Sequence, residues 1–275
     1  MDLAAQIAVV RTATDHLHTT LTTLAPKQWE TPNACGVWNV AEVVAHLAWG
    51  AGLYSDLIRQ GLAEDVASRR GSDAPVDRTA MNAHFAEIAA GYRRELGDRL
   101  LDVFAESGRA LAAQFARLGP ADWERAILHP SGLRPMRQLL IWRVMELSIH
   151  GWEIRRRLGL GGRLPEDSQQ TLIELAANRM RSTFDPRELL PEPLRYLFVL
   201  TSPLLRTIHL TIYGDRFELD PEMDQSGSDV VVTLHPDTYI LLFMGRLTWR
   251  EAIGSGAVSA TGRQDLAVDL SGWFR

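Results

Sequence analysis

Leu3, Ile7, Val10, Leu17, Leu21 and Leu24, with Thr14 between them, recur at alternating spacings of four and three. That spacing puts one apolar stripe on a helix, which has to end before Pro26. Residues 26–38 contain Pro32, Asn33 and Gly36 and read as a loop. Asn39 and Glu42 then have the spacing of a capping box, so a second helix is expected from Val40 to about Gln60, with Trp38 at the position of a hydrophobic staple. Residues 61–77 are polar and rich in Gly, Ser, Asp and Arg, and read as a long crossover. A third helix is expected from Arg78 to Glu95. A fourth runs from Gly97 to Leu118, carries Leu100, Phe104, Leu111 and Phe115 inward, and is stopped by Gly119-Pro120. Residues 121–136 read as another loop, and a fifth helix follows from about Gln138 to Leu158.

Beyond Leu164 the period changes. One helix is expected over Glu166–Phe184. Thr207–Tyr213 and Arg216–Leu219, joined by Gly214-Asp215, read as a hairpin. Asp229–Leu234 and Ala257–Thr261 read as strands. Asp237–Gly245, Trp249–Ile253 and Asp265–Phe274 read as helices. The patterning therefore predicts an α+β chain of two domains. Residues 1–160 form a four-helix bundle with a long crossover and an extra helix, and residues 161–275 form a small α+β domain.

Candidate chemistry concentrates in the fifth helix. Glu146 and His150 are four apart and share one face, which is half of a divalent-metal site. The best third donor is His46, set in the apolar run Val43-Val44-Ala45-His46-Leu47. Spacing alone leaves a buried hydrogen bond or a solvated pair open. However, Glu146 lies between Met145 and Leu147 where the helix has little polar surface, and a carboxylate buried there needs a metal or an arginine. Two imidazoles and one carboxylate suit zinc or another first-row divalent ion. Three protein ligands leave a coordination position open.

Composition narrows the partners. The net charge is −5 and there is no basic block, so nucleic acid and anionic membranes are not expected. No apolar run approaches the ~20 residues that span a bilayer, and no signal sequence is read at the N-terminus. The single cysteine, Cys35, excludes an intrachain disulfide and a cysteine-based zinc cluster, and a cytoplasmic location is expected. Cys35 reads as structural, because no neighbouring base is placed to activate it.

The segment from Thr31 to Leu47 resembles the opening motif of the N-terminal domain of mycothiol-dependent maleylpyruvate isomerases, a branch of the DinB-like bundles. Glu146-x-x-x-His150-Gly-Trp152-Glu153 resembles that family's second motif. Ile240–Leu247 with Gly254 and Gly256 is similar to the sterol-carrier-like domain often fused to it. Two positions depart from the family pattern: Cys35-Gly36-Val37-Trp38 lacks its proline, and Glu153 stands where aspartate is commoner. The resemblance implies a DinB-like bundle followed by a sterol-carrier-like domain. It also implies a metal, usually zinc, on His46, Glu146 and His150, and a low-molecular-weight thiol such as mycothiol as cosubstrate. An arginine near the metal, for which Arg78 lies in about the right stretch with Arg69 and Arg70 also nearby, is expected to hold a substrate carboxylate. Asn82 and Trp49 are candidate cleft residues, with core packing the alternative for Trp49, and Asp56 and Glu42 are candidates to supply a fourth ligand or to orient a histidine.

The leading expectation is thus an enzyme that uses the thiol for cis–trans isomerisation or S-transfer on a small electrophile. The alternatives are a non-catalytic, metal-stabilised protein that binds an apolar ligand, and a metal-assisted hydrolase. A homodimer is left open.

Overall fold

Asp2 opens the first helix, its carboxylate accepting from the Ala5 amide, and α1 runs over Leu3–Thr22 with Val9, Val10, Leu17 and Leu21 buried on one side. The structure is a computed structural model and describes residues 2–33, 38–63, 78–220 and 227–274. The Ala34–Val37 and 64–77 stretches, with Cys35, Arg69 and Arg70 and most of the expected crossover, lie outside the described residues, as do the side chains of Arg78 and Asn82.

A short α2 (Pro26–Trp29) stands in the expected first loop, with Pro26 at its first turn, where the missing N–H costs nothing. The capping box then forms as the sequence predicts. Asn39 Oδ1 accepts from the Glu42 amide at 2.9 Å, and Glu42 returns the bond to the Asn39 amide at 2.9 Å. It launches α3 (Val40–Ala63), whose buried residues go almost all the way round it. A helix apolar on every side has to be the centre of its unit, and α3 packs on α4 (Arg78–Leu96), α5 (Leu100–Phe115) and α6 (Arg137–Arg157). α1 closes the bundle against α5 and α6. Leu47, Ile58, Phe104, Leu111, Phe115, Leu139, Leu140 and Val144 fill the core between them. Fully burying each such side chain contributes about 1.5–3 kcal/mol.

The expected loop before α6 holds a small hairpin, β1 (Ala126–His129) and β2 (Gly132–Pro135), laid against α3. Its fit is tight: a Cβ added to Gly61 of α3 would stand 2.7 Å from Ile127 Cγ2.

The chain divides into two compact units, Met1–Ser168 and Gln169–Arg275. The second begins with α7 (Gln169–Thr183) and continues with β3 (Leu194–Leu200), β4 (Arg206–Ile212), β5 (Phe217–Asp220) and β6 (Val230–Leu234). Then come α8 (Pro236–Phe243), α9 (Trp249–Gly254), β7 (Val258–Gly262) and α10 (Gln264–Asp269). The strands form one sheet in the order β5-β4-β3-β6-β7, with β3 and β6 parallel at its centre and every other pair antiparallel. Alternate residues of β3, Tyr196 and Phe198, point to the helical layer, where Phe198 meets Tyr239 and Phe243 of α8 edge-on at 5.4 and 5.7 Å. The β4–β5 hairpin turns at Gly214, whose φ of 102° brings it so close to the Glu188 carbonyl that a Cβ has no room. The fold is therefore the expected α+β chain, a helical bundle followed by a smaller sheet-and-helix unit.

Candidate functional site

Two helices of the bundle bring the chemistry together. His46 lies in the second turn of α3 and is 8% exposed, packed among Val43, Val44 and Leu47. His150 lies in the second half of α6. The two rings meet edge-on, with centroids 5.6 Å apart. Trp38, just before the α3 cap, packs its ring 4.9 Å from His46 and 6.2 Å from His150. Trp49 and Phe85 stand 6.4 and 6.1 Å from His46 and 5.6 Å from each other. His46 therefore sits in an aromatic box of Trp38, Trp49 and Phe85, with His150 against Trp38.

The histidines are prepared differently. Burial, reinforced by the charges of His150 and Arg143 and opposed by Glu146, lowers the His46 pKa to about 4, so the ring is neutral at pH 7. Its Nδ1 is buried without a hydrogen-bond partner among the described residues, which is an unfavourable state for an imidazole nitrogen unless something binds it. His150 Nδ1 lies 2.7 Å from Glu153 Oε2. A carboxylate only accepts, so Nδ1 carries the proton and Nε2 is the nitrogen through which this ring can ligate. Asn33 Nδ2 donates to the same Glu153 oxygen at 3.2 Å, and Glu153 itself is fully buried.

Glu146 is engaged elsewhere. Tyr54 donates its hydroxyl to Oε1 at 2.8 Å, and Arg143 Nη1 approaches Oε2 at 3.4 Å while donating to the Leu47 carbonyl at 2.9 Å. Of the two ways to relieve a carboxylate in this apolar helix, the arginine is present three residues upstream, on the same face. Tyr54 is pushed well above its ordinary pKa by burial and by the Glu146 charge, so it is a donor throughout the physiological range. Gly50 leaves room over this group, since a Cβ there would touch Glu146 Oε2 at 3.7 Å and Arg143 Nη1 at 3.9 Å.

Among the described residues no three His, Cys, Asp or Glu side chains converge as they stand on one metal position. The donor set nevertheless fits a divalent ion in kind. It has one neutral imidazole with an orphaned buried nitrogen, a second imidazole oriented by a carboxylate, and a third-donor carboxylate with lone pairs beyond the bonds it accepts.

Other candidates resolve more simply. Asp56 pairs with Arg59 on the surface, and Glu42 serves its cap. Arg78 and Asn82 begin α4, the helix that also carries Phe85. Tyr54, Arg143 and Asn33 enter the site without being marked as site residues by the sequence. The one available signal is the i,i+3 spacing of Arg143 and Glu146 inside an apolar run.

The fold and site together define a class: a helical bundle with an oriented histidine pair at its core, followed by an α+β unit. The model of the mycothiol maleylpyruvate isomerase N-terminal domain matches residues 10–155, more than half of the chain, and the chain belongs to that family. Crystal structures of the mycothiol-dependent maleylpyruvate isomerase and of a mutant of it share this fold at a TM-score of 0.60. They are 18% and 17% identical and cover 95% of this chain and 93% of theirs. YfiT from Bacillus subtilis, described as a probable metal-dependent hydrolase with an unusual four-helix bundle topology, is 21% identical over 57% of this chain and 87% of its own, at a TM-score of 0.40. A sterol carrier protein 2 like 2 from Aedes aegypti is 20% identical over 38% of this chain and 93% of its own, at 0.28. No curated protein matches the chain.

Proposed function

We propose that this protein is a metal-dependent enzyme that uses a low-molecular-weight thiol, of the mycothiol kind, on a small electrophilic substrate. His46, Glu146 and His150 would hold a divalent ion, zinc by the chemistry of two imidazoles and a carboxylate. When bound, such an ion keeps a thiol ionised at neutral pH. The remaining work falls to the chain. Neutral His46 and Glu153-oriented His150 would each present a ring nitrogen to the ion. Trp38, Trp49 and Phe85 exclude water and pack against the apolar parts of thiol and substrate. Arg78 is assigned to a substrate carboxylate and Asn82 to the same cleft.

The thiol sulfur adds to an electrophilic carbon of a conjugated double bond and the chain rotates about the resulting single bond. Expulsion of the same thiol then restores the double bond in the other geometry. S-transfer is the outcome in which the adduct is released instead. The reading also places the protein in the cytoplasm and leaves the homodimer to be read from its solution mass.

The observation that carries the reading is His46, whose buried Nδ1 has no partner among the described residues and whose ring meets His150 edge-on. Elemental analysis of protein purified without chelator or nickel resin, beside His46→Ala and His150→Ala, tests it. About one ion per chain in the wild type, lost with thiol-dependent activity in both variants, is the expected result. Activity that survives in a metal-free variant overturns it. A non-catalytic protein for an apolar ligand is the second reading. It is favoured by a cavity of about 490 Å³ in the C-terminal unit, floored by Leu242, Phe243, Leu247, Trp249 and Phe274. An apolar molecule that co-purifies with the chain, without thiol affinity, would support it.

A further inference from the structure

Arg143 is an odd residue to keep for stability. It is fully buried, one nitrogen serves both Leu47 O and Glu146, and its Nε and Nη2 have no partner among the described residues. Replacing the whole Arg143–Glu146 pair by apolar side chains of similar volume is often neutral or stabilising, because each unmade hydrogen bond and the buried charges are costs. What Arg143 does is join two elements at one point. Leu47, whose carbonyl it holds, is the residue next to His46 on α3, and Glu146 is one turn before His150 on α6. Tyr54, two turns after His46 on α3, reaches the other oxygen of the same carboxylate. The two donors take one lone pair on each Glu146 oxygen and thereby fix the plane of the carboxylate. A carboxylate has about four such sites, so each oxygen keeps one.

We propose that Tyr54 and Arg143 are positioning residues. They clamp Glu146 between α3 and α6 so that its remaining lone pairs serve as the third donor beside His46 and His150. The proposal rests on the metal reading above and deepens it. Neither residue touches the reacting atoms. Their effect is on the geometry and affinity of the ion, and that is where the test looks.

The measurement is zinc affinity of the full chain by competition with a chromophoric chelator, together with the visible absorption of the cobalt-loaded protein. Wild type is compared with Tyr54→Phe and Arg143→Met. Tyr54→Phe removes one oxygen and keeps the ring. Losing an outer partner of a ligand costs about 10–100-fold in affinity, so that loss is expected here. The cobalt bands should shift in both variants as the carboxylate is freed. Affinity and cobalt spectrum equal to wild type in Tyr54→Phe, with only stability altered, overturn the proposal while leaving the metal site standing. A wild-type chain that binds neither ion ends the metal reading and this proposal with it. If Arg143→Met fails to fold, Tyr54→Phe still decides.

Discussion

Glu153 has no contact with solvent, and a carboxylate there is stabilised by His150 Nδ1 and Asn33 Nδ2, which reach it at 2.7 and 3.2 Å. Glu153→Gln keeps the shape and removes the charge that fixes the proton on Nδ1. We expect zinc affinity to fall by about tenfold or more and stability by about 1–3 kcal/mol. A chelator titration and a urea curve check both, and unchanged affinity would show that the tautomer does not depend on this contact. A second residue-scale prediction concerns pH. His129 is buried beside Trp142, its Nδ1 accepts from the Ser131 amide at 3.0 Å, and burial, followed by Arg134, lowers its pKa to about 4. In the unfolded chain the ring titrates near 6.5. Between those values the unfolded state carries more protons, so stability rises with pH. The contribution is whole above about 6.5 and is lost as pH falls through 4. The urea midpoint should therefore drop steadily from pH 7 to pH 4.5, and His129→Gln should remove part of that slope, His46 with its similarly lowered pKa supplying another part. A variant with the wild-type profile would remove His129 from the account.

At the scale of elements, α1 and α5 cross closely at Gly108. A Cβ on Gly108 would stand 2.7 Å from Thr14 Cγ2 and 3.1 Å from its Oγ1, and that hydroxyl is tied to the Val10 carbonyl at 2.8 Å. Gly108→Ala gains up to about 1 kcal/mol of helix propensity. Overpacking costs about 1–3 kcal/mol. We expect a net loss of roughly 1 kcal/mol in a denaturant titration, and a gain would mean that the crossing is loose. The helices are legible in the sequence because each writes its stripe and its cap locally, as Asn39 and Glu42 do. The β1–β2 hairpin is not, because two four-residue strands give too few alternations to tell from a loop. β3 escapes the pattern because Tyr196 to Leu200 are apolar with no polar residue between them, and so short a continuous run has no period to tell a strand from a buried helix segment. The same contrast holds in the site. Glu146 and His150 announce themselves by spacing on one helix. Tyr54 reaches Glu146 from 92 residues away, and Arg143 reaches Leu47 across 96, so no local pattern contains those contacts.

At the scale of the whole molecule, 17–18% identity with the mycothiol-dependent maleylpyruvate isomerase goes with a shared fold over nearly the full chain. A fold survives such divergence because burial pattern and volume specify it far more loosely than chemistry specifies a site. The site's groups, from Asn33 and Trp38 through His46, Tyr54 and Phe85 to Arg143, Glu146, His150 and Glu153, all fall within Met1–Ser168. That unit also has its own core of Leu47, Phe104, Phe115 and Leu140. A fragment of residues 1–168 is therefore expected to fold with helical circular dichroism and to bind zinc as tightly as the full chain. A ligand that binds only the folded state at a hundred times its Kd adds about 2.7 kcal/mol. For a unit of this size that is roughly 5–10 °C in Tm. Calorimetry of fragment and full chain, each with zinc and with chelator, measures it. Equal shifts in the two would confine the metal chemistry to the first unit. A fragment that folds but binds zinc much more weakly would mean that residues 169–275 supply part of the site, and the search for the missing donor would move there.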